Sequence, residues 1–307
     1  MSDVERVGVV GCGLMGSGIA EVCARAGRDV VVVETSRSAA VSYTQKLTAA
    51  ERDAAAGRIE VTADMDRLAD RDLVVEAVAE DERAKLEVFA LLDRIVERRD
   101  AVLATNTSSL PVIRPAGATS RPEQVIGLHF FNPVPVLPLV ELVPSLLTGE
   151  ETVRRTHAFV SEVLGKEVVR ARDRSGFVVN ALLVPYLLAA VRMAECGTAS
   201  AEDIDRAMTL GCAHPLGPLA LTDLIGLDTV QAIARSMYAE YREPLYAPPP
   251  LLSRMVDAGL LGRKAGRGFH RYAGPGGGAM REDEGVVAAA TGPSRPDHGR
   301  RHGEQTT

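Results

Sequence analysis

The sequence predicts an α/β protein: a doubly wound sheet followed by a smaller, all-helical domain. Three observations predict it. Short β-branched runs alternate with helical patterns from residue 6 to residue 143, and a glycine-rich turn joins the first run to the first helix. From Phe177 onward the apolar runs become long and helical in spacing.

The first element is the strand-like run "RVGVV" (6–10), followed at once by Gly11-Cys-Gly13-Leu-Met-Gly16. In "SGIAEVCARAG", Ile19, Ala20, Val22, Cys23 and Ala26 recur at near-helical spacing and Gly27 marks a stop. A second strand, "DVVVVE" (29–34), ends in an acid. Strand, glycine turn, helix, strand and acid together make a dinucleotide-binding signature of the Rossmann type. The first glycine makes the tight turn, the second lets backbone approach a pyrophosphate, and the third allows close helix–strand packing. The helix N-terminus then faces the negative charge. Glu34 sits where a carboxylate can accept hydrogen bonds from a ribose 2′-OH. It would repel a 2′-phosphate and so favours NAD; Arg37 nearby leaves NADP open.

The alternation continues. "DLVVEAVAE" (72–80) reads as a buried strand, and "ERAKLEVFALLDRIVERR" (82–99) as a helix with Phe89, Leu92 and Val96 on one face. "AVLATN" (101–106), "QVIGLHF" (124–130) and "PLVELV" (138–143) read as further strands. After "KEVVRARDRSGF" the texture changes to "FVVNALLVPYLLAAVRMAECG", "SAEDIDRAMTLG" and "LALTDLIGLDTVQAIARSMYAEY". The domains expected are 1–173, binding the dinucleotide, and 174–273, helical. Residues 274–307, opening with Pro-Gly-Gly-Gly, are expected to form a disordered tail.

Composition narrows the class. The 307 residues can bury a sizeable core, and 46% apolar with 25% charged residues is ordinary for a soluble globular protein. A formal charge of −6 argues against nucleic acid as a partner. Cys12, Cys23, Cys196 and Cys212 lack CxxC spacing, so they read as thiols of a reducing cytoplasm rather than a disulfide or metal framework. The acidic N-terminus does not resemble a signal peptide, and no apolar run approaches a membrane span.

In an open α/β sheet, ligands bind beyond the carboxyl ends of the strands. His129 closes "QVIGLH", and Asn106, Thr107, Ser108 and Ser109 follow "AVLAT", so two strands deliver polar groups to that edge. Taken alone, His129 reads equally as a structural histidine, and Ser108 as a turn or cap residue. An alcohol dehydrogenase needs a group that accepts the hydroxyl proton as hydride departs. A neutral His suits that role near neutral pH, with a carboxylate orienting its other nitrogen. Glu141, flanked by Val140 and Leu142, would be poorly placed in an apolar run without a partner.

Taken together, "GVVGCGLMGSGIA", "DLVVEAVAE", "NTSSL", "IGLHFFNPVPV", "LVELV", "GFVVN", "HPLGPLALTDLIGLD" and "GLLGRKAGRGF" resemble the 3-hydroxyacyl-CoA dehydrogenase family across residues 5–272, in its single-function 3-hydroxybutyryl-CoA form. The resemblance implies His129 as catalytic base and Glu141 as its orienting carboxylate, with Ser108 and Asn180 hydrogen-bonding the substrate oxygens. It puts NAD contacts on Gly11, Gly13, Leu14, Met15, Gly16, Glu34, Glu80, Lys85, Ser108, Asn132 and Lys264. It also implies a homodimer acting on a small acyl thioester.

The chain departs from the family pattern in several places. Ser175 stands where a Pro is usual, Ala181 where an Arg is usual, and Pro138 where a Lys is common. The stretch between Glu34 and Asp72 is short, and Lys46 is the only lysine within 35–69. Few cations then remain to meet the phosphates of coenzyme A, which leaves an acyl carrier protein open as the thioester's carrier. A free hydroxy or sugar acid, and an NAD-binding structural protein without activity, are further readings. The His–Glu pair disfavours a lysine-based hydroxyacid dehydrogenase.

Overall fold

The computed structural model describes residues 3–34, 57–273 and 279–280. Residues 35–56, which hold most of the short segment singled out above, lie outside the described residues, as does the expected tail apart from Ala279–Met280. The described chain divides into two compact units. The first runs to Pro185 and takes up the chain again over Ile233–Ala247; the second comprises Tyr186–Ala232 and the chain from Pro248.

The first unit is built on an eight-stranded sheet. Its strands are β1 (Arg6–Val10), β2 (Asp29–Val33), β3 (Ile59–Thr62), β4 (Leu73–Glu76), β5 (Val102–Thr105), β6 (Val125–Phe130), β7 (Leu139–Pro144) and β8 (Glu167–Arg170), in the order β3-β2-β1-β4-β5-β6-β7-β8. All neighbours pair in parallel except β6 with β7, which are antiparallel. The expected doubly wound sheet is present. Its central strands β1, β2, β4 and β5 are largely apolar and buried along their length because both faces are covered. Alternate residues feed two cores: Val7, Val9, Val30, Val32, Leu73 and Val75 lie in one, and Val10, Val31, Val33 and Val74 in the other. Helices α1 (Leu14–Arg25), α2 (Glu82–Ile95), α3 (Ile113–Gly117) and α4 (Glu150–Ala158) follow the strands. Ile19 and Cys23 of α1 belong to the first core, and Phe89 and Leu92 of α2 to the second.

Two elements are shorter than the sequence predicts by more than two residues. The strand expected over 72–80 ends at Glu76, because the Glu76 side chain turns back and accepts from the amide of Val78 at 2.8 Å. The helix expected over 82–99 stops at Ile95, where Val96 goes extended. Buried Arg121 supplies the reason: its guanidinium donates to the carbonyls of Asp93, Val96 and Arg98, taking up the acceptors a further turn would need.

Beyond the sheet run the helices α5 (Val179–Glu195), α6 (Ala201–Gly211), α7 (Pro218–Ile225), α8 (Leu227–Tyr241) and α9 (Pro250–Asp257), as the change of texture predicts. Ser200 caps α6 by accepting from the amide of Asp203, and Gly226, at φ 103°, breaks the run that would otherwise fuse α7 with α8. Within the second unit, Asp205 accepts from the amides of Leu219 and Ala220, fixing the start of α7. Asp223 is buried and accepts from the amides of Phe269 and His270 and from the Tyr272 hydroxyl. Ala279–Met280 pairs antiparallel with Arg271–Tyr272. No described helix is long and apolar enough to cross a membrane.

Candidate active site

Strands β1, β4, β5 and β6 run parallel, so their carboxyl ends share one edge of the sheet. From β1 the sheet grows through β2 to β3 on one side and through β4 on the other, so a switch point lies at that edge. The glycine turn leaves β1 there. Gly11 has φ 99°, and a Cβ on it would meet the carbonyl oxygen of Ala77 at 2.7 Å. A Cβ on Gly16 would stand 1.9 Å from the carbonyl oxygen of Gly11, so α1 can approach the turn this closely only with glycine there. A Cβ on Gly13 would meet nothing within 4 Å, and Gly13 is the N-cap of α1 with no side chain to cap its amides. An open, amide-lined helix start of this kind fits a pyrophosphate. Leu14 and Met15 form its first turn, with Leu14 exposed. Glu34 closes the far side, accepting from the Cys12 amide at 2.9 Å.

The loop after β5 carries Asn106 to Ser109. The Asn106 side-chain oxygen accepts from the Phe130 amide at 2.8 Å, tying the end of β5 to the end of β6. Glu80 holds the rest of the loop: one of its oxygens accepts from the amides of Ser108 and Ser109 and from the hydroxyls of Thr107 and Ser109. Burial pushes the Glu80 carboxyl up, but Lys85 and the two hydroxyls outweigh it and hold the group below the ordinary carboxylate value. Lys85 itself is 1% exposed and lies between Glu76, at 2.7 Å, and Glu80, at 3.2 Å. Its ammonium therefore bears on the loop through Glu80.

His129 lies at the centre. Its Nε2 is 3.0 Å from Ser108 Oγ and its Nδ1 is 2.7 Å from Glu141 Oε2. The second oxygen of Glu141 accepts from the amides of Val178 and Val179 at 3.0 and 2.9 Å. Both His129 and Glu141 are buried. The rings of Phe131 and Phe177 meet the imidazole edge-on, with centroids 4.6 and 5.5 Å away. Asn180 directly follows Val179 at the start of α5 and is buried. Asn132 opens the proline loop behind His129. Lys166 holds that loop through the carbonyls of Val134 and Leu137, and burial lowers the pKa of its ammonium.

Ser108, His129, Glu141 and Glu80 are thus brought together within the first unit. Lys264 lies in the second, where its ammonium contacts both oxygens of Asp228 at 2.6 Å. Sequence alone assigns no part to the two phenylalanine walls or to the left-handed turn at Gly176 and Phe177 (φ 85° and 47°). The signal for them was the Gly-Phe pair immediately before a helix. A cleft of about 1190 Å³ beside Leu110, Pro111, Arg172, Ser236 and Glu240 does not include His129 or Glu141 in its lining.

Comparison with known proteins settles the lineage. The model described as "3-hydroxyacyl-CoA dehydrogenase, NAD binding domain" matches residues 6–174, and "3-hydroxyacyl-CoA dehydrogenase, C-terminal domain" matches residues 176–272. The chain belongs to the 3-hydroxyacyl-CoA dehydrogenase family. A 3-hydroxybutyryl-CoA dehydrogenase of Mycobacterium tuberculosis is 58% identical over 286 residues, 89% of this chain and 100% of that protein. The crystal structure of Mycobacterium tuberculosis FadB2 superposes with a TM-score of 0.85 at 57% identity, covering 88% of this chain and 99% of that one. The (S)-3-hydroxybutyryl-CoA dehydrogenase PaaH1 of Ralstonia eutropha superposes with a TM-score of 0.81 at 41% identity, covering 88% and 100%. Membership makes the protein an NAD-dependent oxidoreductase, and the open cradle at Gly13, the α1 N-terminus and Glu34 fit that cofactor.

Proposed function

We propose that this family member reversibly oxidises the 3-hydroxyl of a small 3-hydroxyacyl-coenzyme A thioester, with His129 as base. The observation that carries the reading is the line Ser108–His129–Glu141 at the cofactor edge of the sheet. An ionised carboxylate only accepts hydrogen bonds, so the network assigns the proton to Nδ1 and leaves the Nε2 lone pair facing Ser108. The glycine turn and Glu34 would hold NAD, which would supply the acceptor for the C3 hydride. His129 Nε2 takes the hydroxyl proton, and Glu141 stabilises and aligns the imidazolium that results. In the reverse direction the same nitrogen returns the proton. Phe131 and Phe177 exclude water from the imidazole, and Ser108 and Asn180 bind the substrate oxygens.

The turn from Gly11 to Gly16, with Leu14 and Met15, is assigned to the pyrophosphate, Glu34 to the adenine ribose, and Glu80, Lys85, Ser108 and Asn132 to the nicotinamide side. Lys264 is assigned a cofactor contact on the family resemblance alone. Residues 1–173 would bind NAD, and 174–273 would serve substrate and dimerisation. The exposed Leu182 and Met193, eleven residues apart on α5, support a homodimer, as do the exposed Leu210 and Leu224. The four cysteines, none of them in a disulfide among the described residues, fit a reducing, cytoplasmic setting.

The relatives named 3-hydroxybutyryl-CoA dehydrogenase support coenzyme A as the carrier. The test follows NADH while the same 3-hydroxyacyl group is offered on coenzyme A, on an acyl carrier protein and as the free acid. The coenzyme A thioester should show much the highest kcat/KM. A higher value for either other form would overturn the substrate assignment.

A further inference from the structure

We propose that Ser236, on α8, is a positioning residue for this reaction: it closes a ring of hydrogen bonds that holds both partners of His129 in place. The inference rests on the assignment of His129 as base. Ser236 Oγ donates to the carbonyl oxygen of Ser109 at 3.0 Å. A carbonyl can only accept, so the hydroxyl proton of Ser236 is committed there, and its oxygen accepts from Ser175 Oγ at 3.2 Å. Ser236 therefore touches two segments at once.

Each segment ends on the imidazole. On one side, Ser109 adjoins Ser108, whose Oγ lies 3.0 Å from Nε2. Glu80 anchors Ser109 by its amide and hydroxyl, and Ser236 anchors it by its carbonyl. On the other side, Ser175 leads into Gly176 and Phe177, both left-handed, and then into Val178 and Val179, whose amides hold Glu141. A left-handed phenylalanine is strained backbone that persists only where its surroundings fix it. Ser175 supplies part of that fixing: it is buried, its amide donates to Glu240 at 2.9 Å, and its carbonyl accepts from the Tyr241 hydroxyl at 3.0 Å. The path runs from Nε2 through Ser108, Ser109, Ser236, Ser175 and the Gly176–Val179 turn to Glu141, and so back to Nδ1.

Ser175 stands where the family resemblance leads one to expect a proline. A proline there would offer neither the amide that meets Glu240 nor the hydroxyl that meets Ser236. Ser236 joins the two segments along this path, and Asp173, whose carboxylate accepts from the amides of Val112 and Ile113, ties the same stretches a second time.

The test is a double-mutant cycle in the full-length enzyme, with the 3-hydroxyacyl-coenzyme A thioester and NAD. Ser236→Ala should lower kcat about tenfold while leaving the dissociation constant for NAD unchanged, and Ser236→Thr, which keeps the hydroxyl, should recover most of the loss. In a Ser108→Ala background, Ser236→Ala should cost clearly less than in wild type, because one of the two groups it positions is gone. A wild-type kcat in Ser236→Ala, an undiminished loss in the Ser108→Ala background, or a matching loss of NAD affinity would each overturn the proposal. His129→Ala, assayed alongside, separates the two claims. If it keeps near-wild-type turnover, the base assignment has failed; if it is inactive while Ser236→Ala is normal, only the ring has failed.

Discussion

His129 and Glu141 are directly opposed partners across the antiparallel pair β6–β7, and Nδ1 of one lies 2.7 Å from Oε2 of the other. Opposed residues of an antiparallel pair project on the same face with their Cβ atoms close together, so the register itself delivers the contact. A slip of one residue would turn Glu141 to the opposite face. The twelve-residue spacing between them therefore marks a hairpin, and the loop with its three prolines is the connection that sets its register.

At the adenine end, Glu34 should make the enzyme strongly prefer NAD. Its carboxylate would repel the 2′-phosphate of NADP. Replacing it, as Glu34→Ala, should narrow the ratio of kcat/KM between the two cofactors, chiefly by raising the value for NADP. A wild-type enzyme that favours NADP would show the assignment of Glu34 to be mistaken.

Lys85 and Glu76 form an ion pair at 1% and 0% side-chain exposure, with the Thr105 hydroxyl and the Val78 amide also on Glu76. Removing one partner leaves a buried charge unmet, so Lys85→Met should destabilise the protein by about 3–5 kcal/mol. The double variant Lys85→Met, Glu76→Gln should regain a good part of that in denaturant unfolding. Equal instability of the single and double variants would argue that the pair is not what holds this region.

In the second unit, His270 Nε2 lies 2.8 Å from Asp205 Oδ2, and Nδ1 lies 3.6 Å from Glu202. The hydrogen bond to Asp205 raises the imidazole pKa above its ordinary 6.5; burial opposes the rise, and the surrounding acids add to it. A folded-state value above the unfolded one means the stabilisation is fully present below about pH 6.5 and is lost as pH rises through the folded value. The unfolding midpoint of wild type minus that of His270→Gln should accordingly be largest near pH 5 and shrink toward pH 9. A difference that grows with pH would contradict this pairing.

Much of the cofactor half was legible because its signals are local. The glycine turn needs particular residue types at fixed spacing: Gly11 turns at φ 99°, Gly13 stands in open space, and a Cβ on Gly16 would strike the Gly11 carbonyl. The valine runs of β1, β2 and β4 announce a sheet covered on both faces. What was not legible depends on partners distant in sequence. Nothing near Ile95 predicts that Arg121 will arrest its helix, and nothing in "DLVVEAVAE" reveals that Glu76 will fold back onto Val78. The edge strands β3 and β8 are four residues each and carry too few side chains to show a period. His129 and Glu141 were legible as a candidate pair, but the antiparallel direction that joins them was not. The part proposed for Ser236 was invisible, since a serine on an amphipathic helix looks like any other polar position.

The pairing of His129 with Glu141 can be probed from either end. Glu141→Gln keeps the shape and removes the charge proposed to stabilise the imidazolium, so it should lower kcat markedly while leaving NAD affinity intact. The most direct test is His129→Ala, assayed for hydride transfer to NAD from the 3-hydroxyacyl-coenzyme A thioester and, separately, for NAD binding. Turnover should fall by several orders of magnitude, more than in Glu141→Gln, while the NAD dissociation constant stays at the wild-type value. Near-wild-type turnover in His129→Ala would contradict the account.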